Sequence, residues 1–266
     1  MGNLTKRVLT ALCAGPLVVF LFYILPANLF FWLLVLVAIA AILELSSISG
    51  VKQRWLIVPL AGVSLVPLYM QRIDLFLLWL VCAPAFYIFS RVIRGADESS
   101  THENQEITGS VGILFASMIC IVLPLYFLYR LKTLNNPLPL ILLLVMWASD
   151  SGAYFLGVRF GKTRLVPAIS PKKSYEGLFG AMLGGLIAML LFHRIMEMGA
   201  IESCCVGAFV GLLGQIGDIF ESAGKRVWAV KDSSGLIPGH GGILDRMDSF
   251  LFAAPFMFAY LSGFSR

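Results

Sequence analysis

Charge is what this sequence has least of. Only 13% of its 266 residues are Asp, Glu, Lys or Arg, about half the roughly 25% of an ordinary soluble domain. The matching excess, 59% hydrophobic residues, is more than a soluble core absorbs, which excludes a water-facing globule. Metal-finger and redox spacings are missing as well. The five cysteines, Cys13, Cys82, Cys120, Cys204 and Cys205, lie mostly within or at the ends of apolar runs and are read as small packing residues. There is no internal repeat, no low-complexity tract and no soluble domain, so one continuous membrane bundle is expected.

What is present is apolar length. Leu9 to Leu25 and Leu29 to Leu45 each approach the ~17 to 25 residues that cross a bilayer as a helix. Seven more runs follow near 56–70, 75–89, 111–131, 138–156, 178–192, 204–222 and 248–264. The expected fold is therefore all-α, a polytopic integral membrane bundle of about nine helices. The shorter runs need interfacial residues or burial within the bundle to complete them. The first run follows Lys6 and Arg7 as a signal peptide would, but it is long, lacks a clear cleavage site and leads directly into further spans.

Orientation follows from the twenty Lys and Arg residues, because short cytoplasmic loops are enriched in them. With the N-terminus inside, only Arg72, Arg130, Lys132, Arg194 and Arg266 fall on the outer side, and the other fifteen face the cytoplasm. The net charge of +5 then reads as topology plus anionic headgroups and phosphates, with no nucleic acid partner.

The chain divides by character. Residues 1–137 form about five spans with charges confined to loops, and the polar stretch Arg91 to Thr108 is read as a solvated connector. Residues 138–266 bring ionisable groups into or against the membrane, where each is a functional hypothesis by default. The first such segment runs from Trp147 to Lys162. Asp150 lies about 18 Å along its helix from Leu138, past the midplane of a ~30 Å core. It shares a face with Ala153, Tyr154, Gly157 and Gly161, so it is either a site acid or a hydrogen-bonded acid in a helix-packing seam. The second is Ser170-Pro171-Lys172-Lys173-Ser174-Tyr175-Glu176-Gly177. Its paired ammonium groups suit phosphate oxygens or serve as cytoplasmic anchors, while Ser174 and Glu176 are placed to cap the following helix.

The third segment carries the most. Asp218, Ser222 and Lys225 recur at four- and three-residue spacing, and Asp245 and Asp248 are three apart, so each group lines one helical face. Three carboxylates at one depth repel unless a divalent cation joins them, and oxygen ligands favour magnesium or manganese over zinc. The glycines of Pro238-Gly239-His240-Gly241-Gly242 permit close backbone approach to a phosphate. Lys225, Arg226, Lys231 and Arg246 complete an anion cradle.

This pattern resembles the signature of the phosphatidate cytidylyltransferase (CDP-diacylglycerol synthase) family. The positions that carry it are Ser222, Lys225, Arg226, Lys231, Asp232, Pro238, His240, Gly241, Gly242, Asp245, Arg246 and Asp248. The Ser-Pro-Lys-Lys stretch and the Trp147 to Lys162 helix are similar to that family too, with Ser174 where threonine is expected. The resemblance implies a membrane enzyme converting CTP and phosphatidic acid to CDP-diacylglycerol and pyrophosphate. It also implies a magnesium requirement with potassium assisting, and a homodimer; with the orientation set by Lys and Arg, the expected location is a bacterial inner membrane with the site facing the cytoplasm.

On that basis Asp218, Asp245 and Asp248 are expected at the metal. Lys225, Arg226, Lys231 and Arg246 are expected at the phosphates of both substrates, with His240 and Asp232 beside them. Lys172 and Lys173 are expected at the CTP triphosphate, with Asp150, Ser174, Ser222, Gly241 and Gly242 also contributing to substrate binding. The anionic nucleophile removes any need for a serine or cysteine nucleophile, so positioning and charge neutralisation dominate. Two other classes remain. A CTP-dependent polyprenol or phytol kinase would need a general base, Asp150 or Asp232. A secondary transporter would need inverted repeats and charges near the midplane, whereas these charges gather at one interface.

Overall fold

The computed structural model of the chain describes residues 15–93, 101–236 and 241–264. The expectations at Lys6, Arg7, Cys13, Asp97, Glu98, Pro238, Gly239, His240 and Arg266 lie outside the described residues.

Each expected apolar run holds a helix, and the chain is an all-α polytopic membrane bundle. Among the described residues six stretches are long and apolar enough to cross a bilayer: Ala27–Ile48, Ile73–Arg91, Gln105–Leu134, Leu138–Phe160, Tyr175–Phe192 and Ala200–Val227. Shorter apolar helices occupy Gly15–Ile24, Arg54–Tyr69 and Phe250–Gly263. In chain order the helices are α1 (Gly15–Ile24), α2 (Ala27–Ile48), α3 (Arg54–Val63), α4 (Leu65–Tyr69), α5 (Ile73–Ile93), α6 (Thr101–Ala116), α7 (Leu123–Leu134), α8 (Leu138–Phe160), α9 (Tyr175–Phe192), α10 (Ala200–Val227) and α11 (Phe250–Phe264).

Proline accounts for an irregular stretch. A π-helical turn, Ser117–Val122, joins α6 to α7 immediately before Pro124. The ring of Pro124 would press on the carbonyl four residues back, at Cys120, and a locally widened helix relieves that clash.

Close packing of α8, α9 and α10 comes from small residues. A Cβ at Gly152 would overlap the carbonyl of Gly180, one at Gly184 would overlap Ala148, and one at Gly185 would overlap Gly207. Without side chains at these crossings the backbones meet directly, which is how helices associate in lipid, where hydrophobic driving force between them is weak. The small-residue stripe expected on α8 thus serves packing against α9.

Two features depart from the sequence reading. The segment between α8 and α9 is not a plain loop but a two-stranded antiparallel ribbon, β1 (Arg164–Val166) and β2 (Ser170–Ser174), with Arg164 opposite Ser174 and Val166 opposite Ser170. Pro171 is tolerated there because a two-stranded ribbon has only edge strands. Nor are the charges of the N-terminal half confined to loops. Glu44 on α2 and Lys132 on α7 are 8% and 3% exposed. The Lys132 ammonium is satisfied by the carbonyls of Phe22 and Tyr23 at the end of α1, and Glu44 by the partners described below.

Candidate active site

The length of α10 explains where the polar groups sit. Twenty-eight residues span about 42 Å, more than a ~30 Å hydrocarbon core, so its last turns extend past the apolar layer. Gln215, Asp218, Ser222 and Lys225 follow one another down that end at helical spacing.

Asp218 is held from two sides. Its Oδ2 lies 2.7 Å from Lys173 Nζ on β2, and its Oδ1 accepts a hydrogen bond from Ser222 at 3.2 Å. Lys173 also donates to the carbonyl of Gln215 at 3.4 Å, and the Gln215 amide donates to Asp150 Oδ1 at 3.1 Å. The ribbon therefore delivers Lys173 onto α10, and Gln215 ties α10 back to α8. Asp150 feels Asp248, Asp218, Lys173 and Arg246 as neighbouring charges. Asp248 in turn sits against α10, since a Cβ at Gly217 would overlap its carbonyl.

Ser174 is buried and accepts a hydrogen bond from the Gly177 amide at 3.1 Å, capping α9. Glu176 turns instead to the Thr163 amide at 3.2 Å and ties the ribbon's start to α9. A cavity of about 280 Å³ opens beside this junction, lined by Lys172, Lys173, Ser170, Ser174, Gln215 and Tyr154 among others. Lys172 is exposed at its edge.

Lys225 belongs to a second cluster. Its ammonium lies 2.7 Å from Asp245 Oδ1 and 2.9 Å from Glu221 Oε1. Asp245 also accepts from the Ser233 amide at 3.0 Å, the Ser233 hydroxyl at 3.1 Å and the Gly242 amide at 2.8 Å. Burial works against the ionised Asp245 carboxyl, but the Lys225 ammonium and the Gly242 and Ser233 amides outweigh it and hold the pKa down at about 2. Gly241 has φ +84°, a conformation open to glycine, and a Cβ there would press on Asp245. Glu221 is the odd member: beyond its ion pair, neither carboxyl oxygen accepts a hydrogen bond. A cavity of about 200 Å³ adjoins this cluster, with Glu221, Lys225 and Asp248 at a wall otherwise formed mainly by apolar residues such as Leu45, Ile48, Phe220, Trp228 and Leu251.

The expected acids therefore separate. Asp218 and Asp248 remain within electrostatic reach of each other and of Asp150, while Asp245 turns to Lys225 and the loop amides. Among the described residues no three His, Cys, Asp or Glu side chains gather closely enough to hold a metal ion. Asp218 and Asp248 still suit magnesium, which is commonly held by one or two carboxylates with substrate phosphates and water completing its shell. Lys173, seated on Asp218, marks that pair as a place where positive charge is wanted. Arg226 turns away and donates to the carbonyls of Ile169 and Val230. Lys231, Asp232 and Arg246 are exposed along the segment joining α10 to α11.

A sequence model of the family described as "Cytidylyltransferase family" matches residues 5–264. This chain belongs to the cytidylyltransferase family. Its relatives include the phosphatidate cytidylyltransferase of Bacillus subtilis (strain 168), 33% identical with the whole of both chains covered. That of Thermotoga maritima is 30% identical, again over the whole of both chains. That of Staphylococcus aureus (strain COL) is 32% identical over 94% of this chain and 96% of the relative.

Within this cytidylyltransferase, three site neighbours escaped the sequence reading: Gln215, Glu221 and Glu44. Gln215 and Glu221 could have been found by continuing the spacing of Asp218, Ser222 and Lys225 one turn up the helix and around its face. Glu44 could have been found because an acid inside an apolar run is expensive in a membrane.

Proposed function

We propose that the chain transfers the cytidylyl group of CTP to phosphatidic acid, yielding CDP-diacylglycerol and pyrophosphate. The observation that carries this reading is the pair of dissimilar cavities flanking the end of α10. One is the more polar of the two, with Lys172, Lys173, Ser170, Ser174 and Gln215 in its lining; the other is mainly apolar and carries Lys225, Glu221 and Asp248 on its wall. A nucleotide triphosphate suits the first and a lipid with an anionic headgroup the second, with Asp218 against Lys173 of the first and Asp248 on the wall of the second.

In this reading Lys172 and Lys173 bind the β- and γ-phosphates of CTP, and the Ser174 cap keeps β2 in register with the start of α9. Lys225 orients the phosphate of phosphatidic acid. Its ammonium has three N–H donors, and Asp245 and Glu221 engage it while leaving donor capacity for the lipid. A phosphate oxygen of phosphatidic acid forms a bond to the α-phosphorus as the bond from that phosphorus to the bridging oxygen breaks, and pyrophosphate leaves with the electron pair. The nucleophile is already anionic, so no side chain has to remove a proton, and catalysis rests on alignment and charge. Magnesium held by Asp218 and Asp248 would supply neutralisation of the polyphosphate charge. Arg246, exposed and close enough to act on Asp248, adds positive charge at the same place.

We place the site at the cytoplasmic face of a bacterial cell membrane, with the N-terminus inside, from the one-sided distribution of Lys and Arg. The test is turnover by the purified protein in detergent with magnesium, CTP and phosphatidic acid. CDP-diacylglycerol and pyrophosphate should appear in equal amounts. Absence of both products, or equal turnover with a polyprenol in place of phosphatidic acid, would overturn the assignment.

A further inference from the structure

Glu44 lies in the half of the chain that carries none of the signature, near the end of α2, and is 8% exposed. Four donors converge on its two oxygens and all come from the segment joining α10 to α11. The hydroxyls of Ser234 and Ser233 reach it at 2.6 and 2.9 Å, and the amides of Ile243 and Leu244 at 3.0 and 2.9 Å. One carboxyl group thus joins the outgoing and returning arms of that segment. The fit is tight, because a Cβ at Gly242 would overlap both the Ser233 hydroxyl and a Glu44 oxygen.

We infer that Glu44 is a positioning residue: it fixes the α10–α11 segment so that Asp245 and Lys225 are presented to substrate in one geometry. The route is short. Ser233 is shared: its hydroxyl, with a single proton to donate, lies 2.9 Å from Glu44 and 3.1 Å from Asp245, and its amide donates to Asp245 at 3.0 Å. Asp245 in turn holds Lys225 at 2.7 Å. A carboxylate is suited to this place because it only accepts, and four donors surround it. An amide would turn an NH2 group toward donors and leave buried N–H groups without partners, which is costly in a site closed to water. Glu44 does not touch the cavity beside Lys225, whereas its neighbour Leu45 does. Its influence on the reaction therefore passes through the segment it holds.

This inference rests on the cytidylyl transfer proposed above, and the experiment separates the two. Wild-type protein, Glu44→Gln, Glu44→Asp and Ser234→Ala are compared in detergent, with steady-state kinetics for both substrates and amide hydrogen exchange of residues 241–250. Glu44→Gln is expected to raise the KM for phosphatidic acid roughly tenfold and to lower kcat/KM by roughly 10- to 100-fold. It should also speed exchange in 241–250 while leaving α8 and α9 unchanged. Glu44→Asp should recover part of the loss, and Ser234→Ala, which removes one donor, should shift KM in the same direction by a smaller factor.

A role confined to folding would lower only the amount of active protein and leave KM at the wild-type value; that result overturns the inference, as does unchanged exchange. If Glu44→Gln does not fold, Ser234→Ala decides, and an unaltered KM and exchange pattern in that variant overturns it. Loss of cytidylyl transfer in the wild-type protein would instead remove the proposed function, while the exchange measurement would still report on the clamp.

Discussion

Lys173 and Lys225 are the ammonium groups that the fold presses onto acids of the candidate site, and they do so from different elements. Lys173 comes from the ribbon to Asp218, with 15% of its side chain exposed, and Lys225 comes from α10 to Asp245, with 12% exposed. Long cationic side chains held this firmly near a cavity are already ordered before an anion arrives, so less entropy is lost on binding. Replacing Lys173 with alanine removes a charge-assisted contact worth roughly 1.5–3 kcal/mol. The KM for CTP should rise by roughly 10- to 100-fold, with the KM for phosphatidic acid little changed. Equal increases for both substrates would contradict the assignment of separate cavities. The spacing of Asp218, Ser222 and Lys225 was legible in the sequence because helical period alone places them on one face. The separation of Asp245 from Asp218 and Asp248 was not, since it depends on amides of Ser233 and Gly242 whose direction is set by the turn.

At the scale of elements, the seam between α8 and α9 decides whether the ribbon and α10 meet. Gly152, Gly180 and Gly184 let the two backbones touch, and Gln215 then reaches Asp150 across the packed helices. A methyl group at Gly180 would overlap the carbonyl of Gly152 and the side chain of Leu156, while Gly62 in α3 has open space. Gly180→Ala should therefore destabilise by about 1–3 kcal/mol through overpacking, lowering Tm in detergent by about 5 °C and reducing activity. Gly62→Ala should leave Tm unchanged or slightly higher, as alanine favours helix. Equal behaviour of the two variants would refute the seam. The helices themselves were readable from apolar run length. The ribbon was not, because Ser170–Ser174 carries a proline and four polar side chains and no alternating apolar pattern, and its pairing is set by the short connection to Arg164–Val166.

For the whole molecule, the N-terminal spans do more than surround the C-terminal ones. Glu44 on α2 bonds the segment that follows α10, and Leu45 and Ile48 line the apolar cavity with Ala116, Cys120 and Ile121 from the α6–α7 region. Reading residues 1–137 as polytopic and little more missed this, because hydropathy reports length and not which face of a span meets the site. Topology can be checked at Gly235, which is exposed and has room for a side chain. Gly235→Cys should react with a membrane-impermeant maleimide from the cytoplasmic side only, above the background of the native cysteines. Labelling from the outer side alone would invert the orientation.

The central claim is the fate of the phosphorus atoms. In the proposed reading a lipid phosphate and a triphosphate meet near Asp218 and Asp248, and no acid is required as a base for an alcohol. Purified protein supplied with phosphatidic acid and CTP labelled at the α-phosphorus should move the label into lipid, whereas label at the γ-phosphorus should appear only in pyrophosphate. Transfer of the γ-label to lipid with the α-label left in CDP would contradict the account.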